Sequence, residues 1–146
     1  MARVQLELPE NFPFATELDV RVTDMNYARH LSNDAVLALL HEARVRFLNS
    51  YGLKEMDLFG AGLLITDAAI VYKSEAFAGE ILKIEVTVAD FNPYGCDFVY
   101  RVTEKRSGRE VAHAKTGMVF FDYRERRVQP VPEAFRTLFT EGKVLA

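Results

Sequence analysis

The stretch Asp24-Met25-Asn26-Tyr27-Ala28-Arg29-His30-Leu31-Ser32-Asn33-Asp34 gathers most of the side chains in this sequence that could do chemistry. Carboxylates and an imidazole can move protons near neutral pH, while amides and hydroxyls hold water or polarise a carbonyl. A further carboxylate, Asp67, interrupts the apolar run from Gly62 to Lys73. A charge in such a strand is costly unless paired or wet, so Asp67 is expected at a subunit interface or a cleft, with a structural hydrogen bond there as the alternative. Cys96 stands in an apolar strand with no basic neighbour, which argues against a nucleophilic thiol. His41 and His113 lack metal-ligand spacing and there is one cysteine, so no metal site is expected.

The elements around these residues follow from periodicity. Phe14 to Val22 alternates, with Leu18, Val20 and Val22 on one side, and reads as a half-buried strand. Asn33 to Tyr51 changes to helical spacing through Val36, Leu39, Leu40, Ala43 and Phe47. Ser32, Asn33 and Asp34 supply capping chemistry before it, Gly52 stops it, and Glu42 and Arg46 are placed for a surface ion pair. Four more strands are predicted over Gly62 to Lys73, Glu80 to Ala89, Cys96 to Val102 and Val111 to Tyr123, with turn signals between them. Pro130, Pro132 and Glu133 to Glu141 suggest an arm and a short helix. The fold class is α+β: a five-stranded antiparallel sheet on one long helix.

At 146 residues, 49% hydrophobic and 12% aromatic, without repeats or linkers, the chain is expected to be one domain over 1–146. A net charge of −3 without a basic cluster argues against nucleic acid, and no apolar run is long enough for a membrane span. The first residues alternate instead of forming a secretory signal, so a cytoplasmic location is expected. Leu63, Leu64, Ile65, Ala68, Ala69, Ile70 and Val71 want burial on both faces, which one helix cannot supply. A homodimer or homotetramer is therefore expected.

The motif from Asp24 to Asp34, followed by a helix with His41-Glu42-Ala43-Arg44, resembles the hot-dog-fold acyl-CoA thioesterases of the 4-hydroxybenzoyl-CoA thioesterase-like group. Their pattern is Asp-x-Asp-x-x-Gly-His-Val-Asn-Asn, then a helix with Glu-Ala-Arg. Asp24 falls on the first Asp, Asn26 on the second, Arg29 on the Gly, His30 on the His and Ser32-Asn33 on the Asn pair. The resemblance implies hydrolysis of a fatty or aromatic acyl-CoA without a cofactor. In these relatives the second Asp is the usual catalytic carboxylate; Asn26 has no accessible conjugate base, but it can orient water or donate to a carbonyl.

Thioester hydrolysis needs an oxyanion donor and a group that activates water or attacks carbon. The backbone from His30 to Asn33, at the helix start, is the expected oxyanion cradle. Asp34 is the first candidate base, with capping as its alternative role, and Asp67 is the second. His30 could protonate the leaving thiolate or shape the loop, Asp24 could fix the loop, and Asn33, Tyr27 and Ser32 are expected to contact substrate. Phe47, Phe91, Phe98, Phe120 and Phe121 could line an acyl tunnel between subunits, but aromatics so placed are more often plain core. Lys73, Lys83, Arg101, Lys105 and Arg106 could meet coenzyme A phosphates or form a solvated face. Two rivals remain: a hydratase or dehydratase, since Asp24-Met25-Asn26 and His30 resemble a hydratase motif lacking its Pro, and a non-catalytic acyl-CoA-binding module.

Overall fold

The computed structural model describes residues 3–140, so Met1, Ala2 and the expected helix end at Glu141 lie outside the described residues. In chain order it contains β1 (Phe14–Asp19), a 3-10 turn (Val22–Asp24), α1 (Asn33–Asn49), β2 (Gly62–Tyr72) and β3 (Ile81–Asn92). These are followed by β4 (Gly95–Glu104), β5 (Glu110–Asp122), a two-residue β6 (Arg127–Val128) and α2 (Glu133–Thr140). The strands form one antiparallel sheet in the order β1-β3-β4-β5-β2, with β6 on β5. The expected five-stranded sheet is thus present, extended by a short sixth strand.

α1 begins where the sequence places its cap: Ser32 is the N-cap, and its Oγ accepts from Ala35 N at 3.3 Å. Val36, Leu39, Leu40, Ala43, Phe47 and Leu48 are its buried stripe. They meet Leu82, Ile84 and Val86 of β3, Phe98 and Tyr100 of β4, and Ala112, Ala114 and Phe120 of β5 in one core cluster. Phe47 is at its centre, with ring contacts to Phe14, Tyr51, Phe98 and Phe139 at 5.4–6.0 Å. Burying such a ring contributes roughly 3 kcal/mol. Phe47, Phe98 and Phe120 are therefore core.

One charge enters the interior. Arg44 is buried, but its Nε donates to Glu55 Oε1 at 2.6 Å and its Nη1 to Tyr100 Oη at 3.1 Å. The Tyr100 hydroxyl also shares a proton with Thr116 Oγ1 at 2.7 Å. Unpaired, this guanidinium would be strongly destabilising; paired, it ties the helix to the sheet and to the loop before β2. On the outer side Arg46 Nε meets Glu42 at 2.8 Å, the ion pair expected from their spacing.

One departure from the expected elements has a clear cause. Alternation carries the first strand to Val22, but β1 ends at Asp19, because the Asp24 carboxylate accepts from the Arg21 backbone and side chain and bends the chain into the 3-10 turn. β2 lies at one side of the sheet, and its outward edge has no partner strand among the described residues. Leu64 and Ile65 of this strand are exposed in the single chain.

Candidate active site

The loop between the 3-10 turn and α1 is held by its own backbone. Asn26 N donates to His30 O at 3.0 Å, Arg29 N to Asn26 O at 3.0 Å, and Ser32 N to Asp24 O at 2.9 Å. Arg29 adopts φ 66, the left-handed region that glycine occupies without strain. This is the position where the pattern of the resembling family has its Gly. Asp24 is buried, and its hydrogen bonds from Arg21 hold its carboxyl below the usual range, so it fixes the loop and is not available for chemistry.

Opposite this loop runs the connection from β2 to β3. Leu31 N donates to Ala76 O at 2.8 Å, and Lys73 N to Val111 O at 2.8 Å. Arg109 anchors the same connection: its Nε donates to Ser74 Oγ at 3.2 Å, and its Nη2 to Glu75 O at 3.0 Å and Glu80 Oε1 at 2.8 Å. Between the two segments lies an open cleft of about 780 Å³, lined by Asn26, His30, Leu31, Asn33, Val36, Tyr72, Lys73, Ser74, Glu75, Ala76, Phe77, Arg109 and Val111.

The cleft brings together four of the residues singled out in the sequence: Asn26, His30, Asn33 and Lys73. Asn26 Oδ1 accepts from Ala28 N at 3.0 Å, which leaves the Nδ2 hydrogens as its free donors. His30 Nδ1 lies 3.1 Å from Leu31 O. A carbonyl only accepts, so Nδ1 carries a proton and donates to it. Asn33, the first residue of α1, lines the cleft, and its N–H, at the positive end of the helix, meets no acceptor among the described residues. The Tyr72 hydroxyl donates to Asn33 O at 3.2 Å and steadies that turn.

Other expected site residues fall elsewhere. Asp34 does not line the cleft; its carboxylate accepts from Ser32 Oγ, which holds its carboxyl below the usual range, and it serves the cap. Ser32 itself is engaged in that cap, and Tyr27 is fully exposed and outside the lining. Asp67 sits beside a bulge in β2, exposed, with Oδ1 accepting from Lys115 Nζ at 2.6 Å and from Gly117 N at 3.2 Å. Lys115 holds its carboxyl below the usual range. In the single chain Asp67 is thus paired with Lys115 and exposed, and it is not among the residues that line the cleft.

None of Phe47, Phe91, Phe98, Phe120 and Phe121 lines the cleft, where Tyr72 and Phe77 stand instead, and Phe47, Phe98 and Phe120 take the core reading. Of the five basic residues offered for phosphates only Lys73 reaches it; Arg101 pairs with Glu85 and Lys105 with Glu17, each at 3.0 Å. Glu75, Phe77 and Arg109 were missed because their only sequence signal is a turn after an apolar strand. Among the described residues no group of three or more His, Cys, Asp or Glu is arranged to hold a metal.

A family model described as the thioesterase-like superfamily matches residues 20–139. The chain belongs to this superfamily. A relative, 1,4-dihydroxy-2-naphthoyl-CoA hydrolase of Synechocystis sp., is 26% identical over 129 residues, covering 85% of this chain and 92% of the relative. The solved structure of a 1,4-dihydroxy-2-naphthoyl-CoA thioesterase from Synechocystis superposes with a TM-score of 0.80 at 22% identity, over 89% of this chain and 97% of that one. A gentisyl-coenzyme A thioesterase gives 0.77 at 18% identity, over 87% of this chain and all of the other, 100%. The sheet wrapped on α1 is therefore the hot-dog fold of thioesterase-like proteins, and the match spans both walls of the cleft.

Proposed function

We propose that this protein hydrolyses the thioester bond of an acyl-CoA, releasing a free acid and coenzyme A. The observation that carries the reading is that Asn33, which starts α1 and whose N–H has no acceptor among the described residues, lines one cleft with Asn26 and His30. Attack on a thioester carbonyl moves negative charge onto oxygen, and a fixed donor at a helix start is worth most when that charge appears. Asn26 Nδ2 is placed to donate to the carbonyl or to orient water. Leu31, Val36, Tyr72, Phe77 and Val111 give the acyl group apolar contact, whether fatty or aromatic, and Lys73 offers a cation to the phosphates of coenzyme A. The names of the relatives, both hydrolases of aromatic acyl-CoA thioesters, support the same chemistry.

The working unit in this reading is a homodimer or homotetramer. β2 offers an unpaired edge with exposed Leu64 and Ile65, and its last residue, Tyr72, lies in the cleft wall, so a second copy there would border the site. Light scattering should give a multiple of 16.6 kDa; the monomer mass would refute this part. Free-thiol release from a panel of fatty and aromatic acyl-CoA substrates tests the activity. Loss of enoyl-CoA conjugation without thiol release would make the protein a hydratase, and saturable binding with neither signal would make it a binding module.

A further inference from the structure

We propose that Glu75 is the group that activates water in this cleft, an inference that rests on the hydrolase reading above. Hydrolysis requires a proton acceptor beside the carbonyl, and the Asn26 amide is not one. The other carboxylates near this end of the fold are engaged: Asp24 by Arg21, Asp34 by Ser32, and Glu80 by Arg109 and by Phe77 N. Glu75 carries the one carboxylate among the lining residues, and that carboxylate takes no hydrogen bond or ion pair from any described residue.

Its place is fixed although its side chain is free. Arg109 Nη2 holds the Glu75 carbonyl at 3.0 Å, and the next residue, Ala76, receives the hydrogen bond from Leu31, the neighbour of His30. The backbone thus carries Glu75 to the wall facing Asn26 and His30, while its carboxylate remains open to water.

In the step this assigns, the Glu75 carboxylate takes one proton from water as the water oxygen bonds to the carbonyl carbon. The carbonyl electron pair moves to oxygen, held by Asn33 N–H. Collapse re-forms the carbonyl and breaks the C–S bond, and the proton on Glu75 passes to the departing thiolate. Acid and thiol leave, and the carboxylate is restored.

Thiol release by wild type, Glu75→Gln and Glu75→Ala tests the assignment. Glu75→Gln should lower kcat by about a hundredfold or more, the scale for a positioned base. KM should stay within about threefold, formate should restore part of the turnover of Glu75→Ala, and the melting temperature should not move, because the carboxylate has no structural partner. Wild-type turnover with Glu75→Gln within about threefold of it would refute the assignment and leave the hydrolase reading intact. A rise in KM at unchanged kcat would also refute it, making Glu75 a binding residue. Absence of thiol release by wild type would overturn the hydrolase reading and this assignment with it.

Discussion

Replacing Arg109 by methionine keeps most of the side-chain volume and removes three hydrogen bonds to the segment from Ser74 to Glu80. Hydrogen bonds from a charged donor are worth about 1.5–3 kcal/mol each when buried. The Arg109 side chain is 35% exposed and Glu80 24%, so solvent screens the pair. Discounting for that screening, the three together are worth about 2 kcal/mol, and the loss should lower the melting temperature by about 5 °C. The second consequence is functional. This segment carries Glu75 and Phe77 into the cleft wall, and displacing a reacting group by about 1 Å can cost as much as a hundredfold. Turnover should therefore fall at least about tenfold even well below the melting temperature. Arg109→Lys should recover part of the stability through Glu80 and little of the turnover, since one ammonium cannot reproduce the fork. Thermal unfolding followed by circular dichroism, with thiol release on the same samples, measures both. Unchanged melting would refute the bonding argument, and lower melting with undiminished turnover would show that this wall is not part of the site.

Asn26→Asp keeps the acceptor for Ala28 N and removes the free amide donor while adding a charge beside a developing oxyanion; steady-state thiol release should fall at least about tenfold, and a rise would contradict the role given to Asn26. Glu104 accepts from Arg106 N, Ser107 Oγ and Ser107 N, which lower its carboxyl from 4.5 to about 2. Its folded value lies below the unfolded one, so its stabilisation is present above pH 4.5 and lost as pH falls towards about 2; urea titrations should show an acid-side loss that is smaller in Glu104→Gln. Burial pushes the Cys96 thiol up to about 12, so Ellman's reagent at pH 8 should leave the native thiol unmodified and report coenzyme A alone.

Local signals recovered the parts of the fold that local chemistry decides. α1 starts at Ser32 and Asn33 because the hydroxyl cap is a short-range interaction, and it stops before Gly52, whose φ of 74 suits glycine. The half of the site contributed by Asn26, His30 and Asn33 was legible for the same reason, since one continuous loop carries it. The other half depends on which strands are neighbours. Glu75 meets the loop of His30 only because Leu31 bonds to Ala76 and because β2 pairs with β5, which brings Arg109 alongside. Periodicity encodes the faces of a strand but not its partner, so nothing in the sequence joined Glu75 to His30. The partner of Asp67 was hidden for a related reason: Lys115 lies on β5, and only the pairing of β2 with β5 brings it to the carboxylate.

The most direct test of the central claim is a crystal structure of the protein with a non-hydrolysable acyl-CoA analogue in which a methylene separates the carbonyl from sulfur. The account predicts the analogue's carbonyl oxygen about 2.7–3.1 Å from Asn33 N, with the acyl group between Tyr72 and Phe77 and the coenzyme A phosphates towards Lys73. A carbonyl bound away from the start of α1, or an analogue seated outside this cleft, would contradict it.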